Sequence, residues 1–238
     1  MPLDLTILPQ PNFASCGPTC LQSIYNYYGD DVGLDQVVRE VQYLEAGGTL
    51  AVFLACHALR RGYQTTIYTY NLQVFDPTWF FYQNPGFLKK RLEKQASART
   101  EDKICLASRA YMEYIDLGGE IRFEDLSRDL IRRHLKVKIP ILTGLSSTYL
   151  YRSMREWGPN CDDDDLRGEP QGHFVVLCGY NGETKQVRVA DPLLPNDYAG
   201  NEQYYEVFID RLICATMLGI VTFDANLLII QPAQQIKR

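Results

Sequence analysis

The stretch Ser15-Cys16-Gly17-Pro18-Thr19-Cys20 places two thiols around a glycine-proline pair at the front of an apolar, helix-like run. From Cys20 onward, Leu21, Ile24, Tyr27 and Tyr28 fall on one helical face, and Gly29 supplies a stop, so the periodicity predicts a helix over residues 16–28. Cys16 then stands at the helix start, where backbone N–H groups and the macrodipole favour a thiolate. A dithiol redox pair needs two residues between its cysteines; here there are three, which turns the second thiol about 100° around the helix. Cys20 therefore reads as a core residue and Cys16 as a candidate nucleophile.

Two further helices are expected at 34–44 and 49–61, the latter with Thr49 as N-cap and Gly62 as stop. Gln64–Tyr70 is rich in β-branched and aromatic residues and reads as a strand. The stretch 71–136 reads as a helical insertion or second helical layer, with a surface-laid helix at KKRLEK and helices at 101–117 and 124–136 around a short EIRF strand. From Ile139 the texture changes to strands: IPILTGLS, HFVVLCGY, QVRVADP and NLLIIQP, with Asn181-Gly182 as a hairpin turn. Helices first and an antiparallel sheet later make an α+β plan, one domain over 1–238.

Composition narrows the function. With 238 residues, 46% of them apolar, the chain can bury a sizeable core. A net charge of -5 with scattered Lys and Arg argues against a nucleic-acid partner. No apolar stretch approaches the roughly 20 residues of a membrane span, and the N-terminus lacks a signal-peptide pattern, so a cytoplasmic protein without a membrane partner is expected. Seven irregularly spaced cysteines read as reduced thiols. No close Cys or His pairs suggest a metal site, and no cofactor is expected.

A cysteine nucleophile needs a base, an orienter for that base and donors for the oxyanion. Only three histidines exist. His57 lies mid-helix, and His134 sits among Arg132, Arg133 and Lys136 at a helix C-terminus, where a cation is favoured; both read as structural. His173 opens the HFVVLCGY strand. Pairing 173 with 191, 175 with 189 and 177 with 187 gathers His173, Val175, Leu177, Val187, Val189 and Asp191 on one face, with Asp191 directly opposite His173. Gln10, on a Pro-flanked segment before Cys16, is the candidate oxyanion donor beside the Cys16 N–H.

The order Gln10, Cys16, His173, Asp191, with Gly17 after the cysteine and Gly172 before the histidine, resembles the papain-like cysteine peptidases. The segment LPQPNFASCGPTCLQSIYNYYG is most similar to the bacteriocin-processing branch, family thirty-nine of the cysteine peptidases, which cuts after double-glycine leaders, and to its unassigned bacterial relatives. The resemblance covers about residues 5–65 and 139–200. It implies Cys16 as nucleophile, His173 as general base and acid, Asp191 as orienter and Gln10 as oxyanion donor, acting on a peptide or protein substrate. The hairpin GHFVVLCGYNGETKQVRVADP also resembles phytochelatin synthases, in which the same residues transfer an acyl group to a second thiol. Three functions stay open: a thiol hydrolase, an acyltransferase, and a catalytically silent peptide-binding module. The acidic run Asp162–Asp165 reads as a solvated loop or a flap selecting basic substrates, and Trp79–Tyr82 as core or a substrate wall.

Overall fold

The structure is a computed structural model that describes residues 2–45, 47–82 and 84–233. Helix α1 (Cys16–Tyr27) is central: every residue from Cys16 to Tyr25 is buried, so it packs on several sides rather than along one stripe. It ends at Gly29, whose φ of 80° lets Gly29 N donate to Asn26 O and Asp30 N to Tyr25 O. Helix α2 (Leu34–Glu40) is shorter than the expected 34–44, because the chain turns extended at Val41. Helix α3 (Ala51–Arg60) begins after Leu50, and Thr49 does not cap it; the Thr49 hydroxyl donates instead to Gln42 O at 2.8 Å.

Strand β1 (Tyr63–Thr69) follows, then helices α4 (Pro85–Ala98) and α5 (Asp102–Asp116). The Asn84 side chain caps α4 by accepting from Gly86 N and Phe87 N, with Pro85 in the first turn. Next come β2 (Glu120–Arg122), α6 (Arg128–Lys136), β3 (Ile141–Ser146) and the short α7 (Ser147–Tyr151). A small hairpin of β4 (Glu156–Trp157) and β5 (Asp162–Asp163) precedes β6 (Gly172–Asn181), β7 (Gln186–Ala190), β8 (Tyr204–Phe208), α8 (Ile209–Leu218) and β9 (Asn226–Pro232).

Seven strands form one sheet in the order β2-β1-β9-β3-β6-β7-β8, antiparallel except for the β1–β2 pair at one edge. Its two faces bury separate clusters. One face packs against α1 and α3, with α5 behind α3 and α4 behind α5, and Leu21, Leu54, Leu92, Tyr111, Phe174 and Val176 share its buried cluster. The other carries Val175, Leu177, Val187 and Val189 against Ile131 of α6, Leu150 of α7 and Leu212 of α8. This is an α+β fold of the papain-like kind. Helices cover both faces; α6 falls within the expected 124–136 helix, while α7 and α8 on the same face are not expected from the sequence.

The β6–β7 register differs from the sequence-derived pairing. Leu177 pairs with Val189, not Val187, and the ladder shifts between Leu177 and Gly179 so that Tyr180 meets Val187 and Asn181 meets Gln186. Two local features cause this. The connection is a four-residue loop, Gly182 to Lys185, in which the Asn181 side chain accepts from Glu183 N and Thr184 N and Lys185 adopts φ 57°. The β-bulge at Cys178 then adds one residue to β6. Beyond the bulge the net displacement is two residues, an even number, so the apolar face stays the same. Asp191 therefore lies diagonal to His173 rather than directly across from it.

Candidate active site

Cys16 occupies the first turn of α1 and is 7% exposed. The turn before it is pinned by Ser15, whose hydroxyl donates to Asn12 O at 2.8 Å and accepts from Asn12 N. Gly17 is required by packing: a Cβ there would stand 2.7 Å from the Thr49 methyl and 3.3 Å from the Phe174 ring. Its absence lets the helix start lie directly against the head of β6, next to His173. The Cys20 thiol, fully buried one turn on, donates to Phe174 O at 3.3 Å. Burial first, then the charges of Cys16 and Asp191, push Cys20 well above the usual thiol range, so it stays neutral. Cys20 is a packing residue, as its helical position implies.

His173 is 6% exposed and held in mid-sheet by its pairing with Leu145 of β3. Its Nε2 bonds Asp191 Oδ1 at 2.8 Å, and Cys16 lies near enough to act on the charge of the imidazole. Burial alone would lower the imidazole's pKa. The charge and hydrogen bond of Asp191, with a further contribution from Cys16, outweigh it and lift His173 from 6.5 to about 10.

Asp191 has no exposed surface. A bare carboxylate there would be strongly disfavoured, and four donors remove that penalty. His173 Nε2 and Leu193 N reach Oδ1 at 2.8 and 2.9 Å, while the Tyr151 and Tyr205 hydroxyls both reach Oδ2 at 2.6 Å. Burial pulls the acid upward, but the His173 charge and the bonds from His173, Tyr151 and Tyr205 win and hold it below its ordinary value. Sequence reasoning missed both tyrosines. Tyr205 lies on β8, where Tyr205 and Val207 are buried in alternation, a period-2 signal that was there to find. Tyr151 ends a five-residue helix and has no periodic signature.

Gln10 is brought to the same neighbourhood by its backbone, whose N–H donates to Pro192 O at 2.8 Å. Its Nε2 donates to Asn12 O at 3.1 Å, leaving one N–H of the amide, and its Oε1 is sealed from water without a partner. The other histidines lie elsewhere. His57 is held between the Tyr25 hydroxyl at 2.8 Å and Glu40 Oε2 at 3.0 Å. His134 is pushed down by burial and by Arg133 and Arg122, so the helix terminus does not make it a cation, contrary to the sequence argument.

Around this centre, Asp224 packs against Gly172, where any Cβ would collide with Asp224 Oδ2. Burial lifts Asp224 from 3.8 to about 7, against the Thr222 hydroxyl bond and the charges of Lys103 and His173. Within the acidic run, Asp164 is consumed by its own loop, accepting from Leu166 N, Arg167 N and Arg167 Nε. The aromatic cluster divides: Trp79 and Phe80 pack on the core, while Phe81 and Tyr82 are exposed. Among the described residues no group of three or more His, Cys, Asp or Glu could hold a metal ion. No helix described is long and apolar enough to cross a membrane.

A helix-flanked, largely antiparallel sheet that carries a buried His173–Asp191 pair, with Cys16 at a helix start, has the fold of the papain-like cysteine peptidases. Residues 2–211 match the Peptidase_C39 like family, and the chain belongs to it. No curated protein matches the chain. Among solved structures it is similar to a C39-like peptidase from Bacillus anthracis, with 12% identity over 95% of this chain and 94% of the other and a TM-score of 0.52. It also resembles a double glycine motif protease from an AMS/PCAT transporter in complex with the leader peptide (16% identity, 98% and 94% covered, TM-score 0.45). The peptidase domain of Streptococcus ComA, a bi-functional ABC transporter, is a further neighbour (13% identity, 96% and 99% covered, TM-score 0.44).

Proposed function

We propose that the protein is a thiol hydrolase that cleaves a peptide or isopeptide bond through an acyl-enzyme on Cys16. The observation that carries this reading is the buried Asp191–His173 hydrogen bond, 2.8 Å long, with Cys16 nearby at the start of α1. The Cys16 thiolate attacks the substrate carbonyl, and the Cys16 backbone N–H with the remaining Gln10 N–H stabilises the oxyanion. The His173 imidazolium gives its proton to the leaving amine. It then takes a proton from water, and the hydroxide equivalent attacks the thioester and releases the acid. Asp191 never changes protonation; it fixes the imidazole's orientation and stabilises its cation.

The substrate is read as a peptide or protein. All seven cysteines are free, the state of a reducing compartment, which supports a cytoplasmic setting. Residues 71–136 are read as an elaboration within a single domain, since Leu88, Leu92, Ala107 and Tyr114 share the buried cluster of α1 and α3.

The test is incubation of the wild type and of Cys16→Ala with a peptide library made by digesting a denatured proteome, with and without excess glycine amide, followed by mass spectrometry. New carboxyl termini and an acyl adduct on Cys16, both absent in the variant, are expected. Amide-transferred products without any hydrolysis would replace the hydrolase by an acyltransferase. Neither cleavage nor adduct would leave a silent binding module.

A further inference from the structure

The loop between α2 and α3 contains a hydroxyl that nothing in the free protein uses. Thr49 fixes this loop on the first turn of α1: its methyl fills the space that Gly17 leaves, and its hydroxyl holds the carbonyl of Gln42, the residue before Tyr43. Leu44 N bonds Gly48 O and Gly47 N bonds Leu44 O, closing the loop behind Tyr43. Tyr43 thereby follows the residue that Thr49 holds, in the neighbourhood of the Cys16 turn. Its ring is partly exposed, yet its hydroxyl is shut off from water and has no hydrogen-bond partner among the described residues. Burial, and then the charge of Cys16, push this phenol above its usual range, so it is a donor and not an anion at neutral pH, within charge range of the sulfur.

An unpartnered buried hydroxyl is unfavourable in a folded protein, and one that persists calls for a specific role. Among the buried tyrosines Tyr25, Tyr114, Tyr151 and Tyr205 each reach a partner through their hydroxyls, while Tyr70, far from Cys16 in the chain, does not. Gln10 Oε1, on the segment leading into Cys16, is a second sealed and unpartnered polar atom. The free site therefore holds polar groups that a substrate main chain can satisfy. Cys16 is itself only 7% exposed, so a peptide must displace part of the wall. Gly47 and Gly48, with φ of 89° and 76°, give the Tyr43 loop the backbone freedom to yield.

We infer that Tyr43 is a substrate-positioning residue whose hydroxyl donates a hydrogen bond to a main-chain carbonyl of the peptide held at Cys16. The partner is the peptide backbone, not a particular side chain, because a neutral phenol near the nucleophile offers one donor and no charge. The role gives the loop a share in aligning the acyl group for attack. It rests on the catalytic reading of Cys16.

The experiment compares two thiol reagents on Tyr43→Phe. Iodoacetamide has no peptide backbone; acetyl-glycyl-glycine chloromethyl ketone has one and no side chains, so it probes main-chain recognition alone. The alkylation rate of Cys16 by the chloromethyl ketone should fall by about tenfold, the loss expected for one hydrogen bond made on binding. The iodoacetamide rate should stay as in the wild type, and the unfolding midpoint should not fall, since the hydroxyl removed has no partner in the free protein. An unchanged chloromethyl ketone rate overturns the assignment. Equal slowing of both reagents also overturns it, since Tyr43 would then act through the fold. Iodoacetamide labelling of wild-type Cys16 no faster than Cys20 overturns the catalytic reading, and the role of Tyr43 with it.

Discussion

Removing the hydroxyl of Tyr205 strips one of two donors from Asp191 Oδ2 without changing the ring that packs beneath it. The bond is short, 2.6 Å, and its acceptor is a charged group with no exposed surface, so water cannot replace the lost donor. A hydrogen bond to a charged group contributes about 1.5–3 kcal/mol, and Tyr205→Phe should destabilise the fold at pH 7 by about that amount. The same loss raises the Asp191 pKa relative to the wild type, because one of the bonds that favours its charged form is gone. The penalty therefore shrinks as pH falls and Asp191 takes up a proton in the folded variant.

Tyr151→Phe should behave alike, and the double variant should lose more than the sum, since Oδ2 is then bare. Tyr198→Phe, whose hydroxyl reaches only the exposed Glu206 carbonyl, is the control. Urea unfolding at pH 7 and at pH 5 measures all four. If Tyr205→Phe and Tyr151→Phe both stay within about 0.5 kcal/mol of the control, the buried carboxylate does not depend on these donors and the electrostatic account of Asp191 is wrong.

Three further outcomes follow from the same geometry. Gly172→Ala should cost about 1–3 kcal/mol by overpacking against Asp224, and combining it with Asp224→Ala should recover part of that loss; simple additivity in urea melts would refute the contact. The His173 contribution to stability is complete below its unfolded pKa of about 6.5 and is lost as pH rises through about 10. Between pH 7 and 10 it should decline by up to about 1.4 kcal/mol per unit, a slope that His173→Gln abolishes in pH-resolved unfolding. Asp224 has the same sign, its folded value of about 7 exceeding 3.8, so its neutral form favours the fold at low pH and that contribution is gone above about 7; Asp224→Asn should unfold later than the wild type at pH 8.

The sequence makes α1, α3 and the long strands legible because each is a largely apolar run of the right length bounded by turn residues, and each is buried almost throughout. Cys16 is legible for the same reason: its position at a helix start is set by the local run alone. Thr49 misleads because a hydroxyl near a helix start can serve the helix or a neighbouring loop, and here the Gln42 carbonyl takes it. The His173–Asp191 pairing is legible as a face but not as a register. A bulge and a four-residue loop move the ladder by two residues, and an even shift leaves the apolar pattern unchanged. Tyr151 is invisible from sequence, since one residue at the end of a short helix has no pattern. His134 misleads because a surface argument was applied to a group that the fold half-buries beside Arg133 and Arg122.

The central claim is that Cys16 is activated by His173. Timed labelling with iodoacetamide and peptide mapping tests it most directly, because burial alone predicts the opposite order of reactivity: Cys161 and Cys214 are exposed and Cys16 is buried. Preferential alkylation of Cys16 ahead of both, with that advantage lost in His173→Ala, is the predicted result. Alkylation that follows exposure, with Cys161 and Cys214 first and no change in His173→Ala, would contradict it.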